Sequence, residues 1–365
     1  MQNISYISAM FPSKESNKNM HCIAGALRQA KNVLLVSHVH PDGDALGSMG
    51  GIGHILKSFG CRFALYNHSG LPDSFAWMPL PVCPVTDEEN RKAIETGTLF
   101  EAQNGAFIYS DLDALPFEPE LVITVDCGNE KRAGSAFAER FAKWPSINID
   151  HHRGNPHFGT VANWVEPTAA ATAELIVELG KALEIPLGGD FGACTYLGIM
   201  TDTASFSLGN TTPHTLRLAA ELREAGVNGA MITEQSENQW SQARFELWGH
   251  LMLDVQVHCQ GTIAVSIITD DLLDQVGAIV DDLEGWAGQL RKLRGARIGV
   301  MVRNQGEGSK ISLRSSGDDD IRQVAAMFGG GGHLNAAGAE LKEQPKDVAK
   351  IVVAALQDKL SLPAD

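Results

Sequence analysis

Short apolar runs of strand length recur through the first 225 residues, and helix-forming stretches separate them. VLLVS (33–37), RFALY (62–66), LVITVD (121–126) and SINID (146–150) are dominated by aliphatic, β-branched and aromatic residues. Such runs suit strands buried on both faces, as in a parallel sheet covered by helices. Their alternation with helical segments predicts an α/β fold: a doubly wound, mostly parallel sheet with helices on both sides. The first intervening helix is expected over about 46–59, ended by Gly60.

The pattern changes near residue 228. MITEQSENQWSQARFELWGHLML reads as one long helix or two broken ones. Beyond it lie a hairpin turning at Gln260-Gly261, a helical segment near 284–294, and the strands RIGVMVR and KISLRS. These elements make a second, smaller α+β domain. The predicted organisation is a mobile leader (1–20), the α/β domain (21–227), a helical connector (228–250) and the smaller domain (251–365), with an inter-domain cleft.

The charge balance narrows the partners. The chain carries 29 Lys+Arg against 44 Asp+Glu, a formal net charge of −15. Gripping long duplex nucleic acid takes many cations to neutralise many phosphates, so that class is excluded. Short nucleotides need only a few local cations or bound metals. No apolar run approaches the ~18 residues of a membrane span, and the polar N-terminus lacks a signal-peptide pattern. Six scattered cysteines without a C-x-x-C pair point to reduced thiols and a cytoplasmic protein.

In open α/β sheets, functional groups gather at the carboxyl ends of strands. HVHPDGDALGS follows the first strand and carries His38, Asp42 and Asp44 in one turn. Asp126 ends the third run; Asp150-His151-His152 ends the fourth; Asp202 closes the helix-like run FGACTYLGIMT. Each feature alone has a bland explanation: a DGD is a solvated turn, a single Asp is a cap, and paired histidines face solvent. Consecutive side chains leaving a strand diverge, so at most two of the 150–152 trio are expected to share a site. The conjunction is what matters. One sheet edge can bring His38, Asp42, Asp44, Asp126, His151 and Asp202 together. Four carboxylates and two imidazoles suit Mn²⁺ or Mg²⁺, and without cations they would repel strongly. In the smaller domain, Arg314 and Ser315 offer a guanidinium and a hydroxyl to a phosphate. The run Gly329 to Gly332 followed by His333 lets backbone N–H groups approach an anion. Ala336-Ala337-Gly338 is expected to continue as helix. Trp77, Trp240, Trp248 and Trp286 are read as packing residues before base-stacking ones.

HVHPDGDALGS, VDCGN, IDHH and GIMTDT, in this order, resemble the four motifs of the DHH phosphoesterase family. SLRSS and GGGGHLNAAG resemble its C-terminal DHH-associated domain, so the resemblance spans roughly residues 30–340. Within the family, the chain is most similar to the nanoRNase branch, which acts as oligoribonuclease and 3′-phosphoadenosine 5′-phosphate (pAp) phosphatase. The resemblance implies two divalent cations, Mn²⁺ before Mg²⁺. His38, Asp42 and Asp126 would hold one; Asp44, Asp126, His151 and Asp202 the other. It implies catalytic roles for His152, Asp126 and Asp202, with His152 facing the scissile phosphate and Asp150 orienting an imidazole. Arg314, Ser315, Gly330, Gly331, Gly332 and His333 would bind substrate. The implied reaction is hydrolysis, by water activated between two metals, of di- to pentanucleotides to mononucleotides, of pAp to AMP, or of both. The implied partners are short RNA oligonucleotides or a nucleoside bisphosphate, with no long duplex and no membrane; the resemblance allows a homodimer. The competing readings are a linear or cyclic dinucleotide phosphodiesterase and a catalytically silent nucleotide-binding regulator.

Overall fold

A computed structural model describes residues 14–363. The chain divides into two compact units between Gln239 and Trp240. Residues 1–13 of the expected leader lie outside the described residues; Lys14–Gln29 is a helix.

The first unit is built on a seven-stranded sheet. Its strands are β1 (Asn32–Val36), β2 (Arg62–Tyr66), β3 (Leu99–Glu101), β4 (Phe107–Tyr109), β5 (Leu121–Val125), β6 (Ser146–Asp150) and β7 (Ala162–Val165). Their order is β3-β4-β2-β1-β5-β6-β7, and only the β3–β4 pairing is antiparallel. β1 to β5 is the topological switch: the chain winds outward from it in both directions. The carboxyl ends of those two strands therefore splay apart into a crevice. The four runs read from sequence are β1, β2, β5 and β6. β3, β4 and β7 were not anticipated; each has four residues or fewer.

Strand alternation sorts the core into two layers. Val33, Leu35, Phe63, Leu65, Ile123 and Ile147 face the helices Gly43–Ser58, Thr172–Ala182 and Gly189–Asp202. Leu34, Val36, Ala64, Tyr66 and Val122 face the opposite layer, which holds Phe137, Phe141 and Trp144. Two of these three helices approach to backbone contact. A Cβ at Gly47 would sit 2.4 Å from the Cys194 carbonyl oxygen, and one at Gly198 would sit 2.7 Å from Asp44 Oδ1. Glycine at these positions lets the helices Gly43–Ser58 and Gly189–Asp202 close up, which carries Asp44 toward Asp202.

The second unit holds a six-stranded sheet. Its strands are β8 (Gln256–His258), β9 (Ile263–Ile268), β10 (Ile298–Gln305), β11 (Gly308–Ser315), β12 (Gly331–His333) and β13 (Ala336–Leu341), in the order β12-β13-β11-β10-β9-β8. The helices Ile321–Met327 and Pro345–Lys359 cover one face through Val324, Val348, Val352 and Leu356. Leu247, Trp248, Trp286 and Leu290 cover the other. Trp248 and Trp286 are buried and meet edge to face, while Trp240 is partly exposed. The stretch 228–250 contains two helices, Gly229–Glu237 and Gln242–Leu253, and the unit boundary falls between them. Ala336-Ala337-Gly338 is strand, not the expected helix: Ala336, Ala337 and Gly338 pair with Arg314, Leu313 and Ser312. Sheet pairing overrides alanine's helical preference there. Among the described residues, no helix is long and apolar enough to cross a membrane.

Gly47→Ala is expected to lose about 1–3 kcal/mol in chemical denaturation, because backbone must move. Gly25→Ala is the control. Nothing lies within 4 Å of its new methyl, so in mid-helix it should be neutral or gain up to about 1 kcal/mol.

Candidate metal centre

The centre forms where β1 and β5 end. Asp126 follows β5 and adopts a left-handed φ of 53°, unusual for a residue with a side chain. The turn drives its carboxylate into the crevice, where it is 2% exposed. His38 follows β1, and its Nε2 lies 3.3 Å from Asp126 Oδ2 and 3.8 Å from Asp42 Oδ2. His151 Nε2 lies 3.5 Å from Asp126 Oδ1 and 3.2 Å from Asp202 Oδ2. Asp126 thus serves both sides, one oxygen each.

The supporting contacts fix which atoms face inward. His38 Nδ1 donates to the Val39 carbonyl (2.9 Å), and His151 Nδ1 donates to the Ala169 carbonyl (3.3 Å). Both rings therefore present Nε2 to the centre, as metal-binding imidazoles do. Asp42 caps the helix Gly43–Ser58: its Oδ1 accepts from the Asp44 and Ala45 N–H groups and leaves Oδ2 free to turn toward His38. Asp44 is fully buried. It accepts from the backbone N–H groups of Thr172 (2.6 Å) and Ala173 (2.9 Å) and from the Ser48 hydroxyl. The first turn of the helix Thr172–Ala182 thus cradles this carboxylate, and the Thr172 hydroxyl donates to Asp126 Oδ1 (3.0 Å).

The Asp150-His151-His152 trio departs from expectation, because all three enter one network. His152 Nδ1 donates to Asp150 Oδ1 (2.7 Å) and lies 3.5 Å from Asp126 Oδ1. The chain bends after β6, so the two imidazoles lie 4.8 Å apart, edge to face, instead of diverging. Asn155 in turn donates to Asp150 Oδ2 (2.6 Å).

Three overlapping ligand sets result: His38–Asp42–Asp126, Asp44–His151–Asp202, and Asp126–His151–His152. The six groups read from sequence as ligands all belong to them. Oxygen-rich sets with some imidazole nitrogen fit a hard or borderline divalent cation, so the cluster can hold metal. Thr172, the Ala173 N–H, Asn155 and Arg132 were not picked out. Asn155 and Arg132 each fall within a few residues of a strand end that carries a motif, which was the available signal. Arg132 Nη1 lies 3.1 Å from His152 Nε2.

The charges show what metal-free protein must tolerate. Burial, then repulsion from Asp126 and Asp202, drives the Asp44 carboxyl well above its ordinary range. Burial, then Asp126 and Asp42, does the same to Asp202. Burial also pushes Asp126 upward, but His38, His151 and His152 outweigh it and hold Asp126 low. Burial disfavours the His38 imidazolium, yet Asp126 and Asp42 prevail and raise its pKa to about 10. His151 is likewise raised by Asp126 and Asp44 against the effect of burial.

In the second unit, Arg314 is exposed, with Nη1 donating to the Leu313 carbonyl. Arg314, Ala336 and His333 are successive register partners across β11, β13 and β12. Ser315 is buried, and its hydroxyl is engaged on both sides: it donates to the Asp319 carbonyl (2.6 Å) and accepts from Asn335 Nδ2 (2.8 Å). The glycine run enters the sheet. Gly331 and Gly332 pair with Gly338 and Ala337, and a Cβ at Gly330 would sit 2.1 Å from the Gly338 carbonyl.

A parallel sheet with a carboxylate–imidazole centre at its carboxyl edge, followed by a separate mixed sheet, is the fold of a DHH phosphoesterase. Residues 32–199 match the DHH family, N-terminal domain, and residues 260–361 match the DHHA1 domain. The chain is 32% identical over 347 residues to the bifunctional oligoribonuclease and PAP phosphatase NrnA of Thermus thermophilus, covering 94% of this chain and 95% of that protein. It is 27% identical to NrnA of Bacillus subtilis over 317 residues, 85% of this chain and 89% of that one. The solved structure of an exopolyphosphatase-related protein from Bacteroides fragilis superimposes with a TM-score of 0.80 at 25% identity, covering 94% of this chain and 96% of that one. The chain belongs to the DHH family.

His38, with its pKa raised to about 10, holds a proton at neutral pH, and a metal ion must displace it. Calorimetric titration of metal-free protein with Mn²⁺ is expected to release protons, with apparent affinity climbing as pH rises from neutral toward about 10, the His38 value. Affinity that stays flat or falls over that range contradicts the assignment.

Proposed function

We propose that this chain is a metal-dependent hydrolase of short phosphoesters, cleaving di- to pentaribonucleotides to mononucleotides and pAp to AMP. The observation that carries this reading is that one buried carboxylate, Asp126, is shared by two ligand sets on opposite sides. The extended likeness to NrnA proteins, whose names record oligoribonuclease and PAP phosphatase activities, supports the substrate class. The net charge of −15 also favours short substrates over long tracts.

His38, Asp42 and Asp126 would hold one divalent ion, and Asp44, Asp126, His151 and Asp202 the other, with Mn²⁺ favoured over Mg²⁺. When bound, such ions supply Lewis acidity that activates water and offsets charge on phosphate oxygens. The chain's own residues do the rest. Thr172 and the helix start behind it hold Asp126 and Asp44 in place, so the centre need not reorganise during the reaction. Asp150 fixes the tautomer of His152, which faces the scissile phosphate. Hydrolysis forms a new P–O bond from water and breaks the ester bond, and the released ribose oxygen takes up a proton. In the second unit, Arg314 and the Gly330 to His333 strand would engage a further phosphate of the substrate. Ser315 would brace the end of β11. The six cysteines are scattered along the chain without a C-x-x-C pair, which suits a cytoplasmic setting.

Assays on a ribodinucleotide and on pAp, with chromatographic product analysis and Mn²⁺ present, test this reading. Turnover of both is expected, and Asp126→Asn should lower kcat at least about a thousandfold. No turnover of either substrate by wild-type protein that has bound Mn²⁺ would overturn it. Cleavage confined to cyclic dinucleotides would favour the dinucleotide phosphodiesterase reading.

A further inference from the structure

The ligand residues and His152 account for the negative and switchable groups at the β1–β5 crevice. Among the described residues, Arg132 is a basic side chain against it that they leave unassigned. Arg132 sits in the short 3₁₀ turn Glu130–Ala133, just after the VDCGN segment that carries Asp126. Its backbone carbonyl accepts from the Val39 N–H (2.7 Å), which ties this turn to the loop carrying His38. The Asn129 side chain caps the same turn, accepting from the Lys131 and Arg132 N–H groups. The Arg132 backbone is thus anchored on both sides of the crevice. Its side chain is half-buried and reaches inward to His152.

The chemistry of that contact is one-directional. A guanidinium only donates, so His152 Nε2 accepts and its Nδ1 hydrogen goes to Asp150. In this arrangement His152 has no Nε2 hydrogen to offer an incoming phosphate. The donors at that position belong to Arg132. A guanidinium also has more N–H groups than one imidazole nitrogen can accept, and its fork matches two oxygens of a phosphate.

We infer that Arg132 is a direct ligand of the scissile phosphate, meeting its non-bridging oxygen with a fixed positive charge beside the Asp126 centre. This inference rests on the proposed phosphoesterase reading. His152 then acts as a docking post that holds the guanidinium in place before substrate arrives. Asp150 and Asn155 keep that post aligned.

Inorganic phosphate binding to Mn²⁺-loaded protein, measured calorimetrically, tests Arg132 without requiring turnover. Arg132→Ala should weaken phosphate binding at least tenfold, while Mn²⁺ binding and thermal stability stay near wild type. Arg132→Lys should recover part of the loss. If Arg132 acts only by positioning His152, then Arg132→Ala adds nothing in a His152→Asn background; if it contacts phosphate, the loss persists there. In kinetics, Arg132→Ala should lower kcat/KM on a ribodinucleotide about a hundredfold or more. The penalty should shrink on a methylphosphonate linkage, which lacks the charged oxygen. Phosphate affinity unchanged in Arg132→Ala, no further loss in the His152→Asn background, or a wild type that binds Mn²⁺ but not phosphate would each overturn the inference. Arg132-dependent phosphate binding in a protein that hydrolyses neither nucleotide substrate would instead remove the phosphoesterase reading and leave the phosphate site standing.

Discussion

One carboxylate sets the terms for the rest of the first unit. Asp126 is buried, turned into a left-handed conformation, and approached by three imidazoles and a threonine hydroxyl. An ionised group in that position costs several kcal/mol in desolvation unless opposite charge and hydrogen bonds compensate. The surroundings supply both. Left-handed backbone adds a cost of about 1–3 kcal/mol, which sites of chemistry commonly carry. The strain has a use here: it aims one oxygen at each of two ligand sets.

The sheet and its helices follow from that requirement. Because the winding reverses between β1 and β5, the loops carrying His38 and Asp126 open onto the same crevice. Glycine contacts bring the helix Gly189–Asp202 against the helix Gly43–Ser58, so that Asp202 and Asp44 meet. The first turn of the helix Thr172–Ala182 then supplies backbone donors where carboxylates crowd. Packing, backbone dipoles and site chemistry are therefore one arrangement. A second, mixed sheet carries the phosphate-binding candidates on its own register.

Much of this was legible from residue order. β1, β2, β5 and β6 are five-residue apolar runs, and β1, β5 and β6 each end on or just before a motif, so strand assignment and site assignment came together there. β3, β4 and β7 lacked that signal because strands so short carry little periodicity. The two alanines at 336–337 favoured helix locally, and pairing with β11 makes them strand. Five of the six ligand candidates were visible because they lie on or soon after the ends of buried strands; Asp202, which ends a helix, was visible through GIMTDT. Thr172, the Ala173 N–H, Asn155 and Arg132 were not. Their roles depend on hydrogen bonds to residues far away or around a bend, which no local pattern encodes. The trio at 150–152 shows the same limit: strand geometry predicts divergence, but the bend after β6 folds all three back.

The most direct test of the shared-carboxylate account is anomalous scattering from Mn²⁺-soaked crystals, collected on wild-type protein and on Asp126→Asn. Two manganese peaks flanking Asp126, one against each oxygen, with both weakened in the variant, is the predicted result. A single peak that avoids Asp126, or two peaks that persist undiminished in Asp126→Asn, would contradict it.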